Sequence, residues 1–278
     1  MNTDKSITIA FTGHRNDRIT TDRQALTNLL EQTIEKYYGR GFRRFLSGLA
    51  QGFDMLAAEA VLNVQKRYPD IRLTAVVPCP EQTRYFSDED KFTYKTVLNG
   101  CGRVVLIADR YDPGCFHRRN DYLADNAALI VGYWDGTPKG GTYYTVRRAE
   151  SRRIPVINLL ADIRANEWWE RCSREIKTVF TGINAEQTSD AYYREFWKRL
   201  DQTDRNDMHR YWQYRRGELL LSESEACDLL AAIVMALTDV ELSEYENAPY
   251  LSDEQYDKCF YEHGKKIEER ILNGIFER

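Results

Sequence analysis

Between residues 6 and 160, short runs rich in Val, Ile, Leu and Phe alternate with segments whose apolar residues recur at three- and four-residue spacing. This pattern leaves few folds open. Strands are expected at 6–11 (SITIAF), 42–47, 71–77, 102–108, 127–134 and 154–160, and helices at about 21–38, 53–66, 88–99, 118–125 and 141–152. Strands joined by helices run parallel, because a parallel neighbour is reached only by a crossover, and the sheet is then covered on both faces. The fold class expected is α/β, a Rossmann-like parallel sheet sandwiched by helices, occupying 1–162.

After Leu160 no further strand-like run occurs, and Trp, Tyr and charged residues dominate. The expectation for 163–278 is an all-helical C-terminal appendage. ANEWWERCSREIKTVF (165–180) and the stretch from Asp190 to Asp204 are helical patterns, and Ser222 with Glu225 forms a capping box ahead of an apolar helix. Ser252 and Gln255 open a last helix in a similar way. At 42% hydrophobic residues the chain can build a sizeable core, and no run approaches the ~18 apolar residues of a membrane helix. With no signal-peptide pattern at the N-terminus, a cytoplasmic location without membrane association is expected.

Three glycine-containing turns fall at the carboxyl ends of expected strands, the edge at which open α/β sheets hold ligands. They are TGHR (12–15), SGLAQGFD (47–54) and DGTPKGGT (135–142). Glycine lets a ligand approach the main chain, and the helix that follows offers unpaired N–H groups with partial positive charge. Gly140, Gly141 and Thr142 read as an anion cradle at a helix start; the other reading is a tight turn whose Thr caps the helix. Asp54 either complements the dipole of its own helix or bonds ribose hydroxyls. Arg15 presents a fork of donors suited to phosphate, or pairs with a surface carboxylate, and His14 satisfies a main-chain group or acts as a base.

A fourth segment, DRYDPGCFHRRNDYLADN (109–126), crowds His117, Arg118, Arg119, Asn120 and Asp121 at an expected helix start. Cations there oppose the helix dipole, so either a bound anion or salt bridges to Asp109, Asp112 or Asp121 must relieve the conflict. Other chemistries lack their patterns. The six cysteines form no CxxC pair, the four histidines show no HxxxH or HExxH spacing, and Lys139 precedes its glycine pair rather than ending a Walker A loop. Disulfide, metal and kinase readings are set aside.

FTGHR, SGLAQGFDMLAAE, VPCPEQ, YDPGCFHRRNDYLAD, LIVGYWDGTPKGGTYYTVRRAE and IPVINL, in this order, resemble the YpsA-like branch of the SLOG superfamily over residues 6 to about 160. These are Rossmann-like domains similar to DNA-processing protein A and the lonely-guy phosphoribohydrolases. The resemblance implies a nucleotide-derived ligand of the NAD, ADP-ribose, cyclic ADP-ribose or nucleoside monophosphate type. It implies ligand contact for Gly13, His14, Arg15, Gly48, Gly52, Asp54, Gly140, Gly141 and Thr142, with Arg119 and Asn120 added. The GGxGTxxE pattern of lonely-guy enzymes is only half matched, since Tyr144 and Thr145 stand where the catalytic glutamate belongs and Glu150 follows two turns late.

Three functions follow. In the first, the protein binds or senses a nucleotide-derived ligand and requires no cofactor, with a base stacked on Phe53, Tyr85, Phe116 or Tyr133. The helical region would then read out occupancy or support a homo-oligomer. In the second, it cleaves or transfers an N-glycosidic bond, with Asp54, Glu59 and Asp135 the carboxylates near strand ends. In the third, it associates with single-stranded nucleic acid through the basic and aromatic run 198–216. Acidic residues alternate with the basic ones there, and the net charge is -4, so a solvated ion-paired helix is the competing reading.

Overall fold

A computed structural model describes residues 4–182, 199–242 and 253–276. Contacts divide the chain into two units, Met1–Leu160 and Ala161–Arg278.

The first unit carries six parallel strands: β1 (Thr8–Gly13), β2 (Arg44–Ser47), β3 (Arg72–Val77), β4 (Arg103–Leu106), β5 (Leu129–Tyr133) and β6 (Val156–Asn158). Their order is β4-β3-β2-β1-β5-β6. Between them lie α1 (Arg23–Gly39), α2 (Phe53–Gln65), α3 (Asp88–Gly100), α4 (Cys115–Asp125) and α5 (Gly140–Ser151). The Rossmann-like sandwich expected from the alternation is present. β5 is buried along its length and β1 up to Gly13, which explains their mostly apolar sequences: a central parallel strand meets helices on both faces. The chain builds outward from β1 to β4, then returns to lay β5 on the other side of β1. The crevice beyond the carboxyl ends of β1 and β5 is therefore the switch point at which such sheets hold ligands.

Element ends differ where side chains outrank propensity. β4 stops at Leu106 and β6 begins at Val156, whereas α4 begins at Cys115, before its expected start. The early start moves Arg118 and Arg119 into the second turn of α4. Arg118 pairs with Asp112 ahead of the helix, at 3.0 Å from Nη1 to Oδ1, so the expected dipole conflict is met by the protein's own carboxylate.

The second unit is helical among its described residues. It contains α6 (Leu159–Arg171) from Ala161 onward, α7 (Arg174–Thr181), α8 (Gln202–Arg215), α9 (Glu223–Leu242) and α10 (Asp253–Phe276). In α9, Leu229, Ile233, Leu237 and Val240 recur at helical spacing and pack with Trp169, Phe180, Met208 and Tyr211 into one core. Ser222 and Glu225 make the reciprocal capping bonds read from the sequence. The aromatics of the 198–216 run belong to this core: Tyr211 is buried, and Trp212 and Tyr214 pack against the cluster. The helical pattern at 190–198 and the Ser252 cap lie outside the described residues. No helix among those described is long and apolar enough to cross a membrane.

Candidate anion-binding cleft

A cleft opens at the β1/β5 switch point in two connected chambers. The inner one, about 210 Å³, is lined by the β1 end (Thr12 to Arg15), Arg18, Asp54, Arg119 and Asn120 from α4, and the start of α5 from Lys139 to Thr142. The outer one, about 760 Å³, is walled by Phe116, His117, Tyr143, Tyr144 and Arg147. Arg15, Arg119, Asn120, Gly140 and Gly141 line both. Together the chambers fall in the size range of small-molecule sites.

The α5 start is built for an anion. Gly140 holds φ at +88°, a conformation that disfavours any residue with a Cβ. No side chain caps the helix. A Cβ on Gly141 would project next to Asn120 Nδ2, at 3.3 Å, and a Cβ on Gly140 would meet nothing within 4 Å. The third glycine turn thus faces open space, and the Thr142 hydroxyl makes no cap. Arg15 and Lys139 are exposed at this rim, and neither side chain bonds to another described residue. Four cations, Arg15, Arg18, Arg119 and Lys139, against two carboxylates, Asp17 and Asp54, give the inner chamber a local excess of positive charge at a helix N-terminus in a chain of net charge -4.

The second glycine turn serves the protein's own packing, and the first does so in part. A Cβ on Gly48 would lie 1.9 Å from Arg119 Nη1, and that nitrogen donates to the Gly48 carbonyl at 2.7 Å. The Gln82 amide donates to the same carbonyl at 2.8 Å. Gly52, at φ +90°, is pressed against the main chain of the β1 loop: its Cβ would stand 2.5 Å from the His14 carbonyl oxygen. Gly48 and Gly52 are therefore not brought to the cleft, because Arg119, reaching back from α4, fills the second turn. Gly13 lines the inner chamber and also makes room for the Phe53 ring, which a Cβ there would meet at 2.5 Å.

Asp54 lies on the chamber wall, but buried. It accepts the Gly13 N–H at 3.1 Å and stands 4.0 Å from Arg119 Nη1. Burial raises its carboxyl above the ordinary range, while Arg119, Arg15 and the N–H groups of Gly13 and Ala50 pull it back. Arg119 also donates to Asn120 Oδ1 at 2.8 Å, which fixes the amide beside Gly141.

Asp135 ties the two loops of the switch point together. It pairs with Arg18, and His14 Nε2 lies 3.0 Å from its Oδ1 and 3.0 Å from its main-chain nitrogen. Burial would raise this carboxyl, yet the Thr137 hydroxyl and N–H, the Arg18 guanidinium and the adjacent His14 ring hold it well below the usual carboxylate range. Glu59 is elsewhere, bonded to Arg23 at 3.0 Å on the α1–α2 surface. Of the aromatics expected to stack on a base, Phe53 and Tyr133 are fully buried and stack on each other at 5.7 Å. Tyr85 is exposed and lines neither chamber, so Phe116 alone of the four reaches the cleft. Sequence reasoning missed Tyr143, Arg147, Arg18 and Lys139 as cleft residues. The last two were legible as cations beside strand ends; the first two share a face of α5 after its glycines, but which way that face turns is not written locally.

The family model described as the YspA SLOG family matches residues 9–156. Among curated proteins, the SPbeta prophage-derived protein YoqJ of Bacillus subtilis (strain 168) is 26% identical over 130 residues, 42% of this chain and 74% of the relative. The UPF0398 protein YpsA of the same organism is 28% identical over 104 residues, 37% of this chain and 58% of the relative. The solved structure of DNA processing protein A (DprA) from Streptococcus pneumoniae is similar at 16% identity and a TM-score of 0.39, over 54% of this chain and 48% of that one. The chain thus spans between just over half and about three quarters of these curated relatives.

Proposed function

We propose that this chain, which belongs to the YspA SLOG family, binds a nucleotide-derived ligand, with a phosphate on the α5 start and a planar base in the outer chamber. The observation that carries the reading is the uncapped α5 N-terminus at the sheet's switch point, ringed by Arg15, Arg18, Arg119 and Lys139. Helix amides and a guanidinium address phosphate oxygens together, the amides through fixed dipoles and the guanidinium through paired donors. Phe116, Tyr143 and Tyr144 then supply aromatic surface for the base, next to Arg147.

Binding rather than turnover is the reading favoured by the three carboxylates read from the sequence, although Asp17 also lines the inner chamber. N-glycosidic chemistry needs one free to meet an anomeric carbon. Asp54 is committed to Gly13 and Arg119, Asp135 to Arg18, and Glu59 to Arg23. Isothermal titration of the full chain against NAD, ADP-ribose, cyclic ADP-ribose and AMP, with adenosine as the phosphate-free control, tests the proposal. Saturable binding of a phosphorylated member and none of adenosine is expected. Silence across the panel sinks the reading, and release of free base would transfer it to the hydrolase class.

A further inference from the structure

The two chambers of the cleft have unlike walls. The outer one carries the Phe116, Tyr143 and Tyr144 rings and no carboxylate, whereas the inner one carries no Phe, Tyr or Trp ring and has the carboxylates of Asp17 and Asp54. The residues common to both, Arg15, Arg119, Asn120, Gly140 and Gly141, form a neck of guanidinium, amide and main-chain N–H donors with no acidic group. An anion on the α5 start therefore sits between two different spaces, with room on both sides of it.

Three side chains of the inner chamber are more than nine-tenths buried and still hold an unused polar atom. Thr12 and His14 are 5% exposed and Thr142 is 9% exposed. The hydroxyls of Thr12 and Thr142 bond to no other described residue, and neither does Nδ1 of His14, whose Nε2 is turned to Asp135. None of these atoms is sealed inside the protein, so each keeps a surface on the chamber it lines. The Asp17 carboxylate, in the same chamber, makes no hydrogen bond or ion pair to another described residue. Buried polar groups are paired in the great majority of cases, so several unused ones around a single space point to an occupant that both donates and accepts. A hydroxyl does both, an ionised phosphate only accepts, and a base needs rings to stack on, which this chamber lacks.

We propose that the inner chamber is a subsite for a polyhydroxylated group, such as a pentose, carried by the phosphate on the side away from the base. The ligand class is then a nucleotide whose phosphate is internal and joined to a second sugar, rather than one that ends in its phosphate. Thr12 and Thr142 exchange hydroxyl bonds with that sugar, Asp17 accepts from it, and Nδ1 of His14 meets it at the chamber wall. The proposal rests on the ligand reading above and adds to it what faces inward.

Isothermal titration of the full chain with ADP and ADP-ribose, which differ by the terminal ribose, tests it, on the wild type and on the double variant T12V/T142V. Valine matches threonine in branching and lacks its hydroxyl, and melting midpoints identify the folded variant. ADP carries the greater negative charge, because its terminal phosphate ionises a second time near pH ~6, so a cleft that reads charge alone prefers ADP. ADP-ribose is instead expected to bind the wild type at least about tenfold more tightly than ADP. T12V/T142V should cut that preference to about threefold or less while changing the affinity for ADP by less than about twofold. A wild type that binds ADP as tightly as ADP-ribose, or more tightly, overturns the sugar subsite and leaves the phosphate reading standing. A folded T12V/T142V that keeps the full preference, or that loses both ligands equally, overturns it as well. Silence toward every phosphorylated compound sinks both readings together.

Discussion

Arg119 Nη1 donates to the Gly48 carbonyl oxygen at 2.7 Å, across 71 residues of sequence, and only the absence of a Cβ on Gly48 lets it arrive there. The glycine at the end of β2 is thus a socket for an arginine from α4. Replacing it with alanine expels a guanidinium that also faces Asp54 and Asn120. Gly48→Ala should destabilise the first unit by about 3 kcal/mol, because a buried carboxylate loses its cation. Urea denaturation followed by tryptophan fluorescence measures this, and a loss below about 1 kcal/mol would mean that Arg119 has another place to go.

The two glycines at the α5 start separate conformation from space. Gly140→Ala meets no neighbour but must hold φ at +88°, so it should cost about 1–2 kcal/mol of stability. Gly141→Val places its side chain in the cleft beside Asn120 and should leave stability within about 1 kcal/mol. Its effect belongs to the ligand, as a drop of about tenfold or more in affinity for whichever phosphorylated compound binds the wild type. Equal effects of both substitutions on affinity would show that the cleft reads the shape of the loop rather than the space in front of it.

The contrast between these glycines explains how much of the site could be read from the chain. Strand ends, helix starts and the three turns follow from local pattern, since βα periodicity and glycine placement are short-range signals. Which turn stays open is not local: the second is closed by a side chain 71 positions away, and at the third only the Asn120 amide comes near, beside Gly141. Phe53 and Tyr133 illustrate the same limit. Each lies at a strand end or helix start where a base would stack, and each is instead consumed by the other in the core. Tyr143 and Arg147 reach the cleft because α5 turns that face toward α4, a packing outcome that no window of sequence around Gly141 contains.

Asp135 makes stability depend on acid. Its carboxyl is held below the ordinary range in the folded chain, so folding favours the ionised form. That contribution is fully present above the unfolded carboxylate value of about 3.9 and is lost as pH falls through the folded value. Asp135→Asn removes it at every pH. The stability gap between wild type and Asp135→Asn should therefore be constant from pH 7 down to about 5 and shrink as pH drops below about 4. Asp54 has the opposite sign: burial raises it, so its ionisation costs stability as pH rises past the unfolded value. Denaturant midpoints at a series of pH values distinguish the two, and a gap that widens in acid would reverse the assignment for Asp135.

Arg15 and Lys139 stand at the rim with no side-chain hydrogen bond or ion pair to another described residue, unlike Arg18, which is tied to Asp135 and Thr137, and Arg119, which is locked on Gly48; Arg15 acts on the fold only through its charge, which favours the ionised Asp54. A charge that makes no bond carries little of the fold, so Lys139→Ala should change stability by no more than about 0.5 kcal/mol, and Arg15→Ala, which also removes a cation near Asp54, by no more than about 1 kcal/mol. They are placed to meet an anion on the α5 amides, and each should reduce affinity for a phosphorylated ligand about tenfold. Part of that loss is screened interaction, so it should shrink as salt rises and Debye screening shortens. Titrations at two ionic strengths supply both readings. If Arg15→Ala and Lys139→Ala bind as the wild type does, the phosphate does not sit at the α5 start. The cations of the rim then belong to some other partner, and the glycines of α5 to a turn that is merely tight.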